Sequence, residues 1–269
     1  MPALVTTTKI FRGTSVPRIF ICPVLCYNGF ESEAFILYSD LFCKVYNEFG
    51  WNYYPEAFGA QLLNWIHTTG ANITSALDLA CGTGVLCEIL HSSGIEAAGM
   101  DLSEGMIAIA RESNPAIRYD VADMTTYAPG RQFDLVTCTG DAVNHILDPD
   151  AVAQIFRNVY GYLSPGGYFI FDLLNEDEIS DSEPFDLDYS ETVNAQFRML
   201  RDGDRVELRT AVYENGEFTF EEVIRERIYD PQAVCATLRS CGFTVERCAD
   251  RLLDSEAHRT TWFIIARKG

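Results

Sequence analysis

The stretch from Ser75 to Gly84, Ser-Ala-Leu-Asp-Leu-Ala-Cys-Gly-Thr-Gly, constrains this chain more than any other. Its first half alternates small and apolar residues in the manner of a buried strand. Its second half sets two glycines around a threonine, the composition of a tight turn that feeds a helix. Glycine suits the turn because it takes positive φ without strain and lets a ligand lie against the main chain. The helix expected over Val85–Ser92 would aim its N-terminal amides and positive dipole end at whatever the glycines hold.

The spacing discriminates between two ligands of that size. A dinucleotide site calls for a third small residue, but Gly82 and Gly84 are followed at that place by Cys87. Asp78 precedes the glycines, where a carboxylate would repel a pyrophosphate and welcome an ammonium group. Asp101 closes a second expected strand, Glu96–Asp101, and suits two ribose hydroxyls in either kind of site. Asp123 follows a third strand, Ile117–Val121. The glycines and acids thus arrive at successive strand ends, which is where open α/β sheets bind ligands.

These residues resemble motif I and its sequels in the class I S-adenosylmethionine-dependent methyltransferases. The likeness extends over roughly residues 35–269 and is most specific at motif I. It implies an α/β fold: a Rossmann-like sheet with helices on both faces and an inserted antiparallel lid. It implies S-adenosyl-L-methionine as cofactor, with Asp78 meeting the methionine amino group and Ala80, Cys81, Gly82 and Gly84 carrying the methionyl chain. Asp101 and Leu102 then border the ribose. Asp123 accepts from the adenine amine and the Met124 amide meets a ring nitrogen. Met106 either contacts adenine or is ordinary core, and Cys81 is a small backbone-positioning residue.

Composition narrows the partners. With 269 residues and 48% hydrophobic content, the chain can bury one substantial core and carry a small appended subdomain. A formal charge of −19 opposes binding that depends on counterion release, so neither nucleic acid nor an anionic membrane is an expected partner. A small-molecule substrate is the expectation, and the oligomeric state is not legible. The nine cysteines form neither a paired C-x-x-C nor a Cys/His cluster of zinc spacing, so no metal is expected and the thiols read as reduced, in a cytoplasmic protein.

The remaining segments follow in order. Residues 1–30 read as a loosely ordered extension, their apolar run Ile19–Cys26 broken by Pro23 and too short to span a bilayer. Residues 31–70 carry two helical periodicities, Glu31–Phe49 and Tyr54–Thr68, both rich in aromatics. They look like the capping helices of small-molecule methyltransferases, sugar N-methyltransferases among them. That likeness implies that Tyr46 or Tyr53 reaches the methionine carboxylate or lines the approach to the methyl group.

A fourth strand, Phe133–Cys138, runs into Thr139-Gly140-Asp141-Ala142-Val143-Asn144-His145. Thr139 borders the cofactor by the same resemblance. His145 is the candidate general base or substrate-orienting group, or else a histidine that packs against the next helix; Asp141 is a candidate for a substrate amine. A helix over Asp150–Leu163 and a Pro-Gly-Gly turn lead to strand Tyr168–Leu173. Residues 176–229 open with an acidic stretch, Glu176–Glu191, after which Val193–Leu200, Arg205–Glu214 and Glu217–Tyr229 alternate with period two, joined by Asp202-Gly203 and Asn215-Gly216, the pattern of hairpins forming a lid. The main domain, residues 71–175, resumes over 230–269. The expected activity is methyl transfer to nitrogen or oxygen of a small acceptor. The alternatives are an NAD(P)-dependent oxidoreductase and a non-catalytic S-adenosylmethionine-binding protein.

Overall fold

A computed structural model describes Cys43, Tyr46 and residues 52–179, 184–188, 192–253 and 261–269. Both Cys43 and Tyr46 are helical; the expected extension at 1–30 and the rest of the first aromatic helix lie outside the described residues. Helix α1 spans Tyr53–Thr69 and ends at Gly70, whose φ of 67° is the left-handed C-cap that glycine adopts freely. Then follow β1 (Ser75–Leu79), α2 (Val85–Ser92), β2 (Glu96–Asp101), α3 (Glu104–Ser113), β3 (Arg118–Val121), β4 (Phe133–Cys138), α4 (Pro149–Tyr162) and β5 (Leu163–Leu174). A one-turn helix at Glu176–Glu178 precedes β6 (Phe185–Asp188), β7 (Val193–Asp202), β8 (Arg205–Glu214) and β9 (Glu217–Arg227). The chain closes with α5 (Pro231–Ser240), β10 (Phe243–Ala249) and β11 (Thr261–Lys268).

Seven strands form one sheet in the order β10-β11-β5-β4-β1-β2-β3, parallel except at β11, which runs antiparallel to both β5 and β10. Strand parity explains how both faces are covered. Leu77 and Leu79 join Val136, Phe169 and Phe171 in a core under α4 and α5, where Phe156, Val159 and Leu238 pack. Ala76, Leu135 and Ile170 face the other way, against Phe58 and Leu62 of α1, Leu86 and Leu90 of α2, and Ile107 of α3. Each fully buried side chain of this size contributes about 1.5–3 kcal/mol, so either core alone suffices to hold its helices on the sheet. Asp78, Thr137 and Asp172 occupy the second parity, which is why three polar groups end up inside, under α1 to α3.

The insertion forms a separate four-stranded antiparallel sheet, β6-β7-β8-β9. Strand β6 was not expected, because its sequence Phe-Asp-Leu-Asp sits within an acidic run. The second hairpin turns on Asn215 and Gly216, with φ of 53° and 80°, as its residue types dictate. The first turns on Gly203-Asp204, one residue beyond the expected pair, because Asp202 already pairs with Arg205. On the inner face of this sheet, Ala195, Phe197, Leu208, Val212 and Ile224 pack with Cys43, Tyr46 and Met106. The insertion therefore closes over the first turn of α3, at the C-terminal edge of β2.

Candidate active site

The glycine turn adopts the conformation its composition requires. Ala80, Gly82 and Gly84 have φ of 60°, 53° and 85°. The two glycines serve different ends. A Cβ on Gly82 would meet nothing within 4 Å, so this residue leaves open space above the backbone. A Cβ on Gly84 would lie 2.6 Å from Tyr119 Oη and 3.0 Å from the Ala110 side chain, so the second glycine is demanded by packing. Cys81 turns inward, its sulfur against Gly99, and its amide donates to the Met100 carbonyl at 2.9 Å.

Asp101 ties this turn to the next strand. Its Oδ2 accepts from the Gly82 amide and its Oδ1 from the Ser103 amide, both at 2.9 Å. Each oxygen retains a second lone pair, the acceptor capacity that a ribose diol requires. Ser103 caps α3 by accepting from the Met106 amide at 3.2 Å. Met106 itself is 1% exposed and packs with Tyr46 under the lid. Behind it, the Ala122 amide donates to the Asp101 carbonyl at 2.9 Å, which brings the Asp123 loop alongside. Asp123 is half-buried and holds its own turn, accepting from the amide and hydroxyl of Thr125 at 2.8 and 2.7 Å. Met124 is buried in the main core, while Leu102 is partly exposed at its rim.

Asp78 is buried and accepts from the Thr137 hydroxyl at 2.7 Å. Burial pushes its carboxyl up to about 7, and burial likewise pushes Asp101 up to about 6 against the pull of the Ser103 and Gly82 amides. A consequence for stability follows. Between the carboxyls' ordinary 3.8 and these raised values, the folded protein retains protons that the unfolded chain has released. Thermal melts of the ligand-free protein will therefore show its midpoint falling as pH rises from about 4 to about 7, and Asp78→Asn will flatten the upper part of that fall. A midpoint that climbs throughout this window would show both carboxyls ionised at their ordinary values.

The loop after β4 is shaped by a third buried acid. Asp172 of β5 accepts from the Gly140 and Asp141 amides at 2.9 and 2.7 Å, and from the Tyr54 hydroxyl. Gly140 and Asp141 are both left-handed, with φ of 77° and 55°. Tyr54 is thus the tyrosine of α1 that turns into the site, whereas Tyr53 is 58% exposed. Thr139 is buried at the start of this loop. Asn144 fastens it to the insertion: its side-chain amide donates to the Arg227 carbonyl and its own carbonyl accepts from the Arg227 amide, both at 2.7 Å.

His145 is 1% exposed. Its Nε2 lies 3.6 Å from Asp141 Oδ1 and 3.2 Å from Oε1 of Glu226. Glu226 comes from β9, where inward parity falls on Ile224 and Glu226 and outward parity on Arg225. Burial, reinforced by the Asp141 charge and opposed by His145, pushes the Glu226 carboxyl up to about 8. Sequence reasoning missed Glu226 although its signal was present, a carboxylate at an apolar position of an alternating strand. It also missed Asp172, which lies inside an otherwise apolar run.

A depression of about 390 Å³ lies at the opposite edge of the sheet, lined by Glu96, Arg118, Arg131 and Phe133, at or near strand starts. Ligands in open parallel sheets bind at the strand ends, so the cluster of Gly82, Asp101 and the post-β4 loop is the better site.

Residues 76–167 match the family model described as a methyltransferase domain. A putative methyltransferase, YqeM, of Bacillus subtilis (strain 168) is 27% identical over 228 residues, covering 80% of this chain and 90% of the relative. The dTDP-4-amino-2,3,4,6-tetradeoxy-D-glucose N,N-dimethyltransferase of Saccharopolyspora spinosa is 26% identical over 135 residues, half of this chain and 53% of that enzyme. Among solved structures, an S-adenosylmethionine-dependent methyltransferase from Clostridium acetobutylicum ATCC 824 superposes with a TM-score of 0.71 at 24% identity, over 78% of this chain and 90% of the other. With the glycine turn, the Asp101 carboxylate and this sheet order in place, residues 76–167 carry a methyltransferase domain and the chain has the fold of the S-adenosylmethionine-dependent methyltransferases.

Proposed function

We propose that this protein methylates a nitrogen or oxygen of a small polar acceptor, and that the strand-end residues described above hold the cofactor for that purpose. The observation that carries the reading is the joint between two loops, the Gly82 amide donating into the Asp101 carboxylate beside a glycine with open space above it. When bound, S-adenosylmethionine supplies an electrophilic methyl on a sulfonium. Asp101 would receive the ribose hydroxyls, Asp78 the methionine ammonium, and Asp123 with the Met124 amide the adenine edge. Ala80, Cys81 and Thr139 would form the walls along the methionyl chain, with Leu102, Met106 and Tyr46 over the nucleoside. The exposure of Tyr53 and the inward turn of Tyr54 favour Tyr54 on the acceptor side.

The chain's part in the reaction is alignment and exclusion of water. The lid covers the α3 edge, and the Asp172 carboxylate fixes the left-handed loop that carries Asp141 and His145. His145, with Nε2 facing two carboxylates and its ring 1% exposed, is poorly placed to collect a proton as an independent base. An amine acceptor is favoured by the amino-sugar substrate in the name of the Saccharopolyspora relative. Cys81, Cys87, Cys138, Cys235, Cys241 and Cys248 are free thiols, as a reducing cytoplasm would keep them; no helix among the described residues is long and apolar enough to cross a membrane. A panel of amino sugars, other small amines, and hydroxy acids and phenols, assayed with methyl-labelled cofactor, tests the reading. Turnover of an amine or hydroxyl compound at rates well above cofactor hydrolysis is expected. Cofactor binding with no transfer to any member would favour a non-catalytic binding protein.

A further inference from the structure

We propose that Asp141, His145 and Glu226 form a binding site for one divalent first-row transition cation, of the class of Mn²⁺ or Zn²⁺, between the post-β4 loop and the lid. The proposal concerns a site separate from the cofactor's strand-end contacts and is independent of the acceptor's identity.

Spacing is the first argument. One ligand atom from each residue can be chosen so that all three lie within 4.8 Å of one another. Around an ion bound at about 2.0–2.2 Å, neighbouring ligand atoms sit roughly 3–3.6 Å apart, the edge of a tetrahedron or octahedron. The separations of His145 Nε2 from Glu226 Oε1 and Asp141 Oδ1, 3.2 and 3.6 Å, fall in that range. The longer is beyond good hydrogen-bond length, and a single imidazole N–H cannot serve both oxygens well.

The second argument is the state of Glu226. It is 1% exposed, and neither carboxylate oxygen has a hydrogen-bond partner among the described residues. A carboxylate so placed costs several kcal/mol unless a charge compensates it. Protonating Glu226 would remove its charge without giving its oxygens a hydrogen-bond partner among the described residues. A divalent cation on a neutral imidazole and two carboxylates brings the cluster to zero charge. The donor set of one nitrogen and two oxygens, without thiolate, suits Mn²⁺, Fe²⁺, Co²⁺ or Zn²⁺ better than the all-oxygen ions Ca²⁺ and Mg²⁺.

The third argument is preorganisation. Asp141 is held left-handed with its amide on Asp172, and Asn144 bonds the same loop to Arg227, the residue after Glu226. Two of the three ligands thus come from one braced turn, and the third from the strand clamped to it. The cysteine spacing led to no expectation of a metal, and Glu226 lies 81 positions beyond His145, brought to it only by the fold.

The test uses the full chain, stripped with chelator and titrated with MnCl₂ and, separately, ZnCl₂ by calorimetry, alongside pulsed electron paramagnetic resonance of the Mn²⁺ form. One equivalent should bind, with the spin coupled to one imidazole nitrogen. Glu226→Gln and Asp141→Asn should each weaken binding by about 100-fold or more, as expected for loss of a primary ligand. His145→Ala should abolish the nitrogen coupling. Circular dichroism and melts of the metal-free variants establish that each is folded, and a variant that is not folded leaves the other two to decide. No binding, binding unchanged in the folded variants, or Mn²⁺ without nitrogen coupling would overturn the site; the acidic surface would produce the last two.

Discussion

Replacing Asp101 with alanine is expected to weaken S-adenosylmethionine binding by about 100–1000-fold while leaving a folded protein. In the proposed pose the carboxylate accepts two ribose hydroxyls, and hydrogen bonds to a charged group contribute about 1.5–3 kcal/mol each, so the expected loss sits at the lower end of the pair's roughly 3–6 kcal/mol. The same change leaves the Gly82 and Ser103 amides without their acceptor, so the turn itself loosens. Removal of a carboxylate that burial already disfavours offsets part of this cost to the ligand-free protein. Equilibrium binding of the cofactor, with a melt to establish folding, is the measurement. An affinity within about five-fold of the parent would place the ribose elsewhere.

The second large effect separates two glycines only two residues apart. Gly84→Ala would force a Cβ against Tyr119 and Ala110 at a φ of 85°, and should cost about 2–4 kcal/mol of stability, roughly a 10 °C fall in melting temperature. Gly82→Ala meets open space, so its cost to folding is only the left-handed strain of about 1–2 kcal/mol. Its cost to binding should be far larger, because the new methyl occupies the surface over which the methionyl chain is proposed to run. Melts and cofactor titrations of the two variants should therefore rank them in opposite orders. A Gly82→Ala protein that binds the cofactor like the parent would show that the open space is not where the ligand lies.

The parts of this fold that were legible in the sequence are those governed by local rules. Helix α2 and strands β2 and β4 have the expected bounds because glycines and periodicity fix them within a few residues. The lid hairpins were legible because Asn215-Gly216 admits few conformations, and the succession of strand ends because Asp78, Gly82, Asp101 and Asp123 mark them in regular order. The substitution of Cys87 for a third small residue was also informative, since its side chain is fully buried against β2.

Groups whose role depends on contacts between distant segments were not legible. Asp172 sits in Phe-Ile-Phe-Asp-Leu-Leu and reads as one interruption of a core strand, until the fold brings it under the Gly140–Asp141 amides. Glu226 is one acid among many in an acidic insertion, and only the pleat of β9 turns it toward His145. Gly84 illustrates a subtler limit. Its place in the motif suggests a ligand contact, yet the atoms it avoids belong to Tyr119 and Ala110.

A crystal structure with S-adenosylhomocysteine tests the central claim most directly. The account predicts the ribose hydroxyls on Asp101, the adenine beside Asp123 and Met124, and the sulfur facing the loop that carries Asp141 and His145. Density for the ligand at the opposite edge of the sheet, near Arg118 and Phe133, or well-ordered crystals from saturating ligand with none bound, would contradict it.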